Sequence, residues 1–277
     1  MKKLLLIAGS LFFIGALLFV TVLFIVDFDF MNVTTVKTIS VSKTVSESFT
    51  NIKIDTTDCD ISIRLSKDGT CKLEGTTSKK MPFTMKVEDG TLILRQEDQR
   101  KWYDHIGIFN GNHAVILYLP QGAYDQCSVH STTGAISISE DFTFHDAVIT
   151  CTTGDIKVKA ATKNLTVDTS TGDISAVNIQ TDGQVALKTT TGDIKLQNVV
   201  CDTLSAKATT GDIILTDCDG QNISIKTTTG DVKATFLTGK VYDVEVTTGD
   251  ISVPAQDRTG GDCKVRTTTG DVTITVK

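Results

Sequence analysis

Eight copies of one four-residue phrase recur through the C-terminal half of this chain. Each has two β-branched or hydroxyl residues, a glycine and, in seven cases, an aspartate. The glycines are Gly134, Gly154, Gly172, Gly192, Gly211, Gly230, Gly249 and Gly270, spaced by 20, 18, 20, 19, 19, 19 and 21 residues. Such a period means stacked supersecondary units, none of which can bury its own apolar face alone. A unit of roughly 19 residues is too short for a βαβ crossover.

Each unit reads as two short strands around a tight turn. Ahead of the glycines run Val129, Ile149, Val167, Leu187, Ala206, Ile225, Val244 and Val265. A second column two residues earlier includes Cys127, Leu165, Tyr242 and Cys263. After the turns come Ile136, Ile156, Ile174, Ile194, Ile213, Val232, Ile251 and Val272, with Ile138 through Val253 and Ile274 two residues further on. Polar residues lie between, so the period is two and one face of each strand is buried. The glycine supplies the positive φ that a strand-connecting turn asks for. These features predict an all-β fold, a parallel single-stranded β-helix-like solenoid with about eight regular coils. An antiparallel meander folding at each Thr-Gly is the rival arrangement.

Lys2 and Lys3 precede an apolar run from Leu4 to Val26 that gives way to Asp27 and Asp29. Its length approaches the ~20 residues of a bilayer-spanning helix, and bulky residues stand where a signal cleavage site would need small ones. The charge asymmetry places the C-terminal part outside the cytoplasm. The expected organisation is a cytoplasmic end at 1–3, a transmembrane anchor at 4–26 and a stalk at 27–44, with Asn32 to Lys43 reading as stalk or edge strand. An irregular β cap follows at 45–125, then the Thr-Gly-Asp solenoid at 126–277. The expected localisation is the cell membrane, single-pass, with an extracytoplasmic C-terminal domain.

The chain carries a formal charge of −6, and no run of Lys and Arg interrupts the repeats. That balance argues against nucleic acid as a partner. Seven cysteines, an odd number, without any Cys-x-x-Cys pair, read as small buried apolar residues. Before the repeats, Ile52, Ile54, Ile61 and Ile63 flank Thr56-Thr57-Asp58-Cys59-Asp60 and reproduce the unit without its glycine. Leu73, Met85, Val87, Leu92, Leu94, Val115, Leu117 and Leu119 mark further strands of a cap.

The order of these pieces carries a resemblance. Asn51-Ile52-Lys53-Ile54, Asp60-Ile61-Ser62-Ile63, Asp89-Gly90-Thr91-Leu92 and Val115-Ile116-Leu117-Tyr118-Leu119-Pro120 are followed by the Thr-Gly-Asp coils. The succession resembles the toast-rack domain, a bacterial family of proposed adhesins of unknown function, over roughly 45–277. That resemblance implies a fold similar to right-handed single-stranded β-helices. Some members are envelope proteins encoded with the Lia and phage-shock systems, which implies a surface-facing sensor or scaffold. It supplies no catalytic residues.

Parallel stacking would set Asp155, Asp173, Asp193, Asp212, Asp231, Asp250 and Asp271 in a column about 4.8 Å apart. Each could cap its own turn, or the column could bind calcium as a ladder of hard oxygen ligands. The Gly-Gly-x-Gly-x-Asp pattern of calcium-binding β-rolls is absent. His105, His113, His130 and His145 fall in no nucleophile or metal motif. Arg100, Trp102 and Tyr103, a cation beside aromatics, form the most ligand-like cluster, with aromatic packing onto the cap as the other use. The expected function is that of a non-enzymatic envelope scaffold or stress-associated protein without a cofactor. Its partner would be an envelope or membrane protein, with a wall-polymer or carbohydrate adhesin second and a polysaccharide-active enzyme third.

Overall fold

In a computed structural model of the chain, residues 2–25, 38–100 and 113–277 are described. All their strands belong to one hydrogen-bonded sheet. It winds as parallel coils, as the repeats predict. Thr143–Thr153 pairs in parallel with Ala123–Thr133 on one side and Ala161–Thr171 on the other, with Ile149 opposite both Val129 and Val167. Past the turn, Ile156–Val158 pairs in the same way with Ile136–Ile138 and Ile174–Gln180. Register therefore places like on like, and the apolar columns of the sequence become continuous rows through one core. A one-residue slip would turn every row to solvent. Burying each Ile, Leu or Val in these rows contributes on the order of 1.5–3 kcal/mol, which is why the alternation fixes the register.

Spatial order departs from sequence order at both ends. Asn222 to Lys226 pairs with Asp262–Thr269, which in turn pairs with Val241–Thr248. The glycine turns therefore stack in the order Gly211, Gly230, Gly270, Gly249. The chain jumps one place to lay down the outermost coil, then returns to fill the gap. The last strand, Val272–Val276, consequently pairs along its length with Val232–Phe236, and its first two residues pair also with Ile251–Ser252. The N-terminal end repeats the device. Asn51–Asp58 and Asp60–Leu65 sit between the Ala123–Thr133 coil and an outer coil made of Thr91–Gln96 and Ala114–Leu119.

This exchange corrects two core assignments. Ile251 and Val253 belong to the inward columns by sequence, yet they are 48% and 38% exposed. Their coil is the last layer, with no further coil to cover it.

Each end is finished by side chains that no periodicity reveals. At the C-terminal end, Gln256 accepts from the Tyr242 N–H at 2.7 Å and donates to the Tyr242 carbonyl at 3.0 Å, standing in for a missing strand. At the other end, Gln96 Oε1 accepts from the Thr57 and Asp58 N–H groups at 3.0 Å. Lys240 ties the returning connection to the stack. Its buried ammonium donates to Asp219, to Thr238 Oγ1 at 2.8 Å and to the Gly260 carbonyl. The outer strands of the cap pair antiparallel: Cys71–Ser78 with both Ala114–Leu119 and Thr38–Val45, and Phe83–Glu88 with Thr91–Gln96. Of the two readings of the segment ahead of the cap, stalk or edge strand, Thr38–Val45 takes the second and is the edge strand of the cap.

The expectation of a bilayer-spanning anchor at 4–26 is corrected. Among the described residues, no helix is long and apolar enough to cross a membrane. The chain does form a helix over Lys2–Ile25. Residues 26–37 lie outside the described residues.

All seven cysteines are buried and unbridged. Burial pushes the thiols of Cys59, Cys71, Cys127, Cys201 and Cys263 up to about 12, and that of Cys218 to about 11. The thiolate is the nucleophile, so iodoacetamide at pH 8 should label almost none of the native protein. Denaturant without reductant should expose all seven. Recovery of fewer than seven unless reductant is added would show that some are bridged.

Candidate functional site

The turn edge, where the repeated residues gather, is the first place to look for chemistry. Every repeat glycine has a positive φ, between 126° and 151°. Each also sits directly on the backbone of the neighbouring coil. A Cβ on Gly192 would lie 2.1 Å from the Gly172 carbonyl oxygen, and one on Gly211 would lie 2.0 Å from that of Gly192. The glycine is required twice, for its backbone angle and for this close approach.

In four coils the threonine just ahead of the turn pair also spends its hydroxyl on the stack. Thr189 Oγ1 donates to the Gly172 carbonyl and Thr227 Oγ1 to the Gly211 carbonyl, both at 3.1 Å. Thr169 and Thr267 make longer versions at 3.5 and 3.4 Å. All four threonines are buried, and these bonds give their hydroxyls partners inside the core. The residue ahead of each pair is therefore interior in seven of the eight coils, as a period of two from the apolar column implies, and only Val246 in the outermost coil is half-buried.

The seven aspartates do form a column, in the spatial order Asp155, Asp173, Asp193, Asp212, Asp231, Asp271, Asp250. The first six do not cap their own turns. Their carboxylates reach across and accept the backbone N–H of the next coil's aspartate, and Asp250, on the outermost coil, ends the series. Asp155 takes that of Asp173, Asp173 that of Asp193 and Asp212 that of Asp231, all at 2.8 Å. Asp193 takes that of Asp212, and Asp231 that of Asp271, at 3.0 Å. Across the exchanged end, Asp271 takes the N–H of Asp250 at 2.9 Å. Asp60 begins the ladder by taking the N–H of Ala135 at 2.8 Å. Lys195, 3.1 Å from Asp193 and 3.7 Å from Asp173, offsets part of the like-charge repulsion. Among the described residues no group of three or more His, Cys, Asp or Glu stands close enough to hold a metal ion.

The N–H of Asp212, followed by Lys195, lowers the pKa of Asp193. A carboxylate depressed on folding stabilises the native state above its unfolded value of about 3.9. That contribution disappears as pH falls through the lower folded value. Asp193→Asn should therefore lessen the loss of thermal stability on acidification below about pH 4. An unchanged acid profile would show that the ladder bond carries no linkage.

Arg100, predicted within a ligand cluster, is engaged internally. Its guanidinium forms a two-point pair with Asp98 at 2.8 and 2.9 Å and reaches Asp58 at 3.4 Å. His113 lies beside the same Asp58, with Nδ1 3.2 Å from its carbonyl oxygen. Trp102, Tyr103 and His105 lie outside the described residues. His130 and His145 are far apart in role, the first against Thr150 and the second against Asp146.

Set beside known proteins, the chain matches one family model over residues 49–236 and again over 159–277. It belongs to the Toastrack DUF4097 family. No curated protein matches the chain. Among solved structures, it is similar to a proposed adhesin from Parabacteroides distasonis, 14% identical with a TM-score of 0.53, over 88% of this chain and 99% of that one. A proposed lipid-binding protein from the same organism is 15% identical with a TM-score of 0.50, over 86% and 95%. At such identities the likeness establishes the Toastrack fold and nothing finer.

Proposed function

We propose that this Toastrack protein is a non-catalytic, adhesin-like scaffold that works outside the cytoplasm and offers the flat sides of its solenoid to a component of the cell envelope. The supporting observation is how the repeated polar groups are used. Carboxylates, buried hydroxyls and glycine carbonyls along the turn edge are bonded to neighbouring coils, so the repeat builds a rigid object. What remains for a partner is the outward residues of the parallel strands, ranked at strand spacing of about 4.8 Å. Flat ranked surfaces suit extended partners. The name of one fold neighbour, a proposed adhesin, agrees with that use.

Two partner types are distinguished by one experiment. The purified protein is incubated with envelope-wall fragments, and in parallel it is crosslinked in cells and its adducts identified by mass. Enrichment of wall polymer supports the adhesin reading. A discrete protein adduct supports the scaffold reading, and turnover of a wall glycan without retention would overturn both.

A further inference from the structure

The sequence contains no cluster of cations, but the fold makes one. Along the outer face of the strands that precede the turns, register sets Asp168 opposite Lys188, Lys188 opposite Lys207, and Lys207 opposite Lys226. Lys226 in turn stands opposite Arg266, and Arg266 opposite Glu245. Four cations from residues up to 78 positions apart thus occupy consecutive rungs, spanning about 14 Å at 4.8 Å per rung. The exchange of the last two coils is what completes the row. In sequence order Glu245 would stand against Lys226 and neutralise its end.

The two ends of the row are compensated and its middle is not. Lys188 pairs with Asp168 at 3.0 Å, while Arg266 is held by Asp243 at 2.6 Å and Glu245 at 2.9 Å. Lys207 and Lys226 are exposed and make no ion pair among the described residues. Like charges directly opposite each other in a sheet are unfavourable, and two of them kept in register ask for an outside counter-charge. The flanking rungs are neutral and hydroxyl-bearing: Ser205 and Ser224 on one side, Thr209 and Thr228 on the other. The nearest turn acids, Asp212 and Asp231, have a carboxylate oxygen committed to the next coil's N–H. The protein's overall negative charge is screened beyond about 8 Å at physiological ionic strength, so the row acts locally.

We infer that this row is a docking track for a linear polyol-phosphate polymer, its phosphates on Lys207 and Lys226 and its hydroxyl-bearing links against the Ser and Thr rungs. Lysine binds phosphate as a compact point charge that needs no fixed orientation, and the only arginine in the row is occupied. No aromatic ring stands in these rungs to stack a base, which sets the track apart from single-stranded nucleic-acid surfaces. The inference deepens the adhesin-like reading and rests on it.

The test uses the full chain and a synthetic glycerol-phosphate oligomer, with oligo-dT and hyaluronan as comparison polyanions. Binding of the oligomer is expected, weakening with salt. Lys207→Gln with Lys226→Gln should raise Kd roughly tenfold or more and make the salt slope shallower by about 1–2. Lys157→Gln with Lys233→Gln removes the same charge from the other strand face and should leave Kd unchanged. Equal losses in both double variants, no oligomer binding, or tighter binding of oligo-dT or hyaluronan would each overturn the track. Wall material retained by the wild type despite that result would leave the adhesin-like reading standing, so the two failures are separable.

Discussion

Gly211→Ala is expected to destabilise the protein by roughly 2–6 kcal/mol, a large part of the ~5–15 kcal/mol that holds a domain together. Two costs add. The residue has φ 143°, where a side chain adds strain on the order of 1–3 kcal/mol. Its Cβ would lie 2.0 Å from the Gly192 carbonyl oxygen and 2.6 Å from the Gly192 carbonyl carbon. Both are backbone atoms of a coil pinned on each side, and forcing them apart costs about 1–3 kcal/mol more. Gly69→Ala separates the two terms. Gly69 has φ 74° and nothing within 4 Å of the added carbon, so it should lose only about 1–2 kcal/mol. Urea unfolding of both variants decides the matter. Equal losses would mean that the approach of glycine to glycine is not what holds the coils together.

Lys240→Met should cost about 3 kcal/mol or more. Lys240 is 1% exposed and Asp219 keeps only 13% of its side chain in water, and removing one partner of a buried pair typically costs about 3–5 kcal/mol. The Gly220 N–H at 2.8 Å and the Thr238 hydroxyl at 3.1 Å still serve Asp219, which places the expected loss toward the lower end. The Gly260 carbonyl loses its donor as well, freeing the returning connection. Hydrogen exchange should accelerate first in Val241–Thr248, the outermost coil. Adding Asp219→Leu should recover part of the loss, because the unpaired charge goes with it. A uniform rise in exchange across the whole stack would argue that Lys240 supports global stability and not the terminal exchange.

Much of the fold was legible before any coordinates. Two-residue alternation around a glycine at a 19-residue spacing leaves few ways to bury the apolar side, and parallel stacking of equivalent rungs is what the structure has. The positive φ of the glycines and the interior place of Cys127 and Cys263 followed from the same periodicity. The candidate site was legible only as a list. The column of aspartates was foreseen, but not that six of the seven serve the next coil instead of their own turns. Ala135 ends one such bond without ending the stack, since its own N–H is still taken by Asp60. Arg100 looked ligand-like because a linear reading cannot see Asp98 and Asp58 closing around it.

The amino-acid sequence by itself determined the local unit, its register and the apolar rows, because all three depend on spacing within about one coil. It did not determine which coil lies next to which. Val241–Thr248 and Asp262–Thr269 carry interchangeable patterns, so either could have followed Asn222 to Lys226. The choice belongs to the tertiary structure, through a buried lysine, a glutamine amide and the pairing of the last strand on both sides. That choice exposes Ile251 and Val253. It also brings Arg266 to Lys226, so the row of cations exists only in the folded stack.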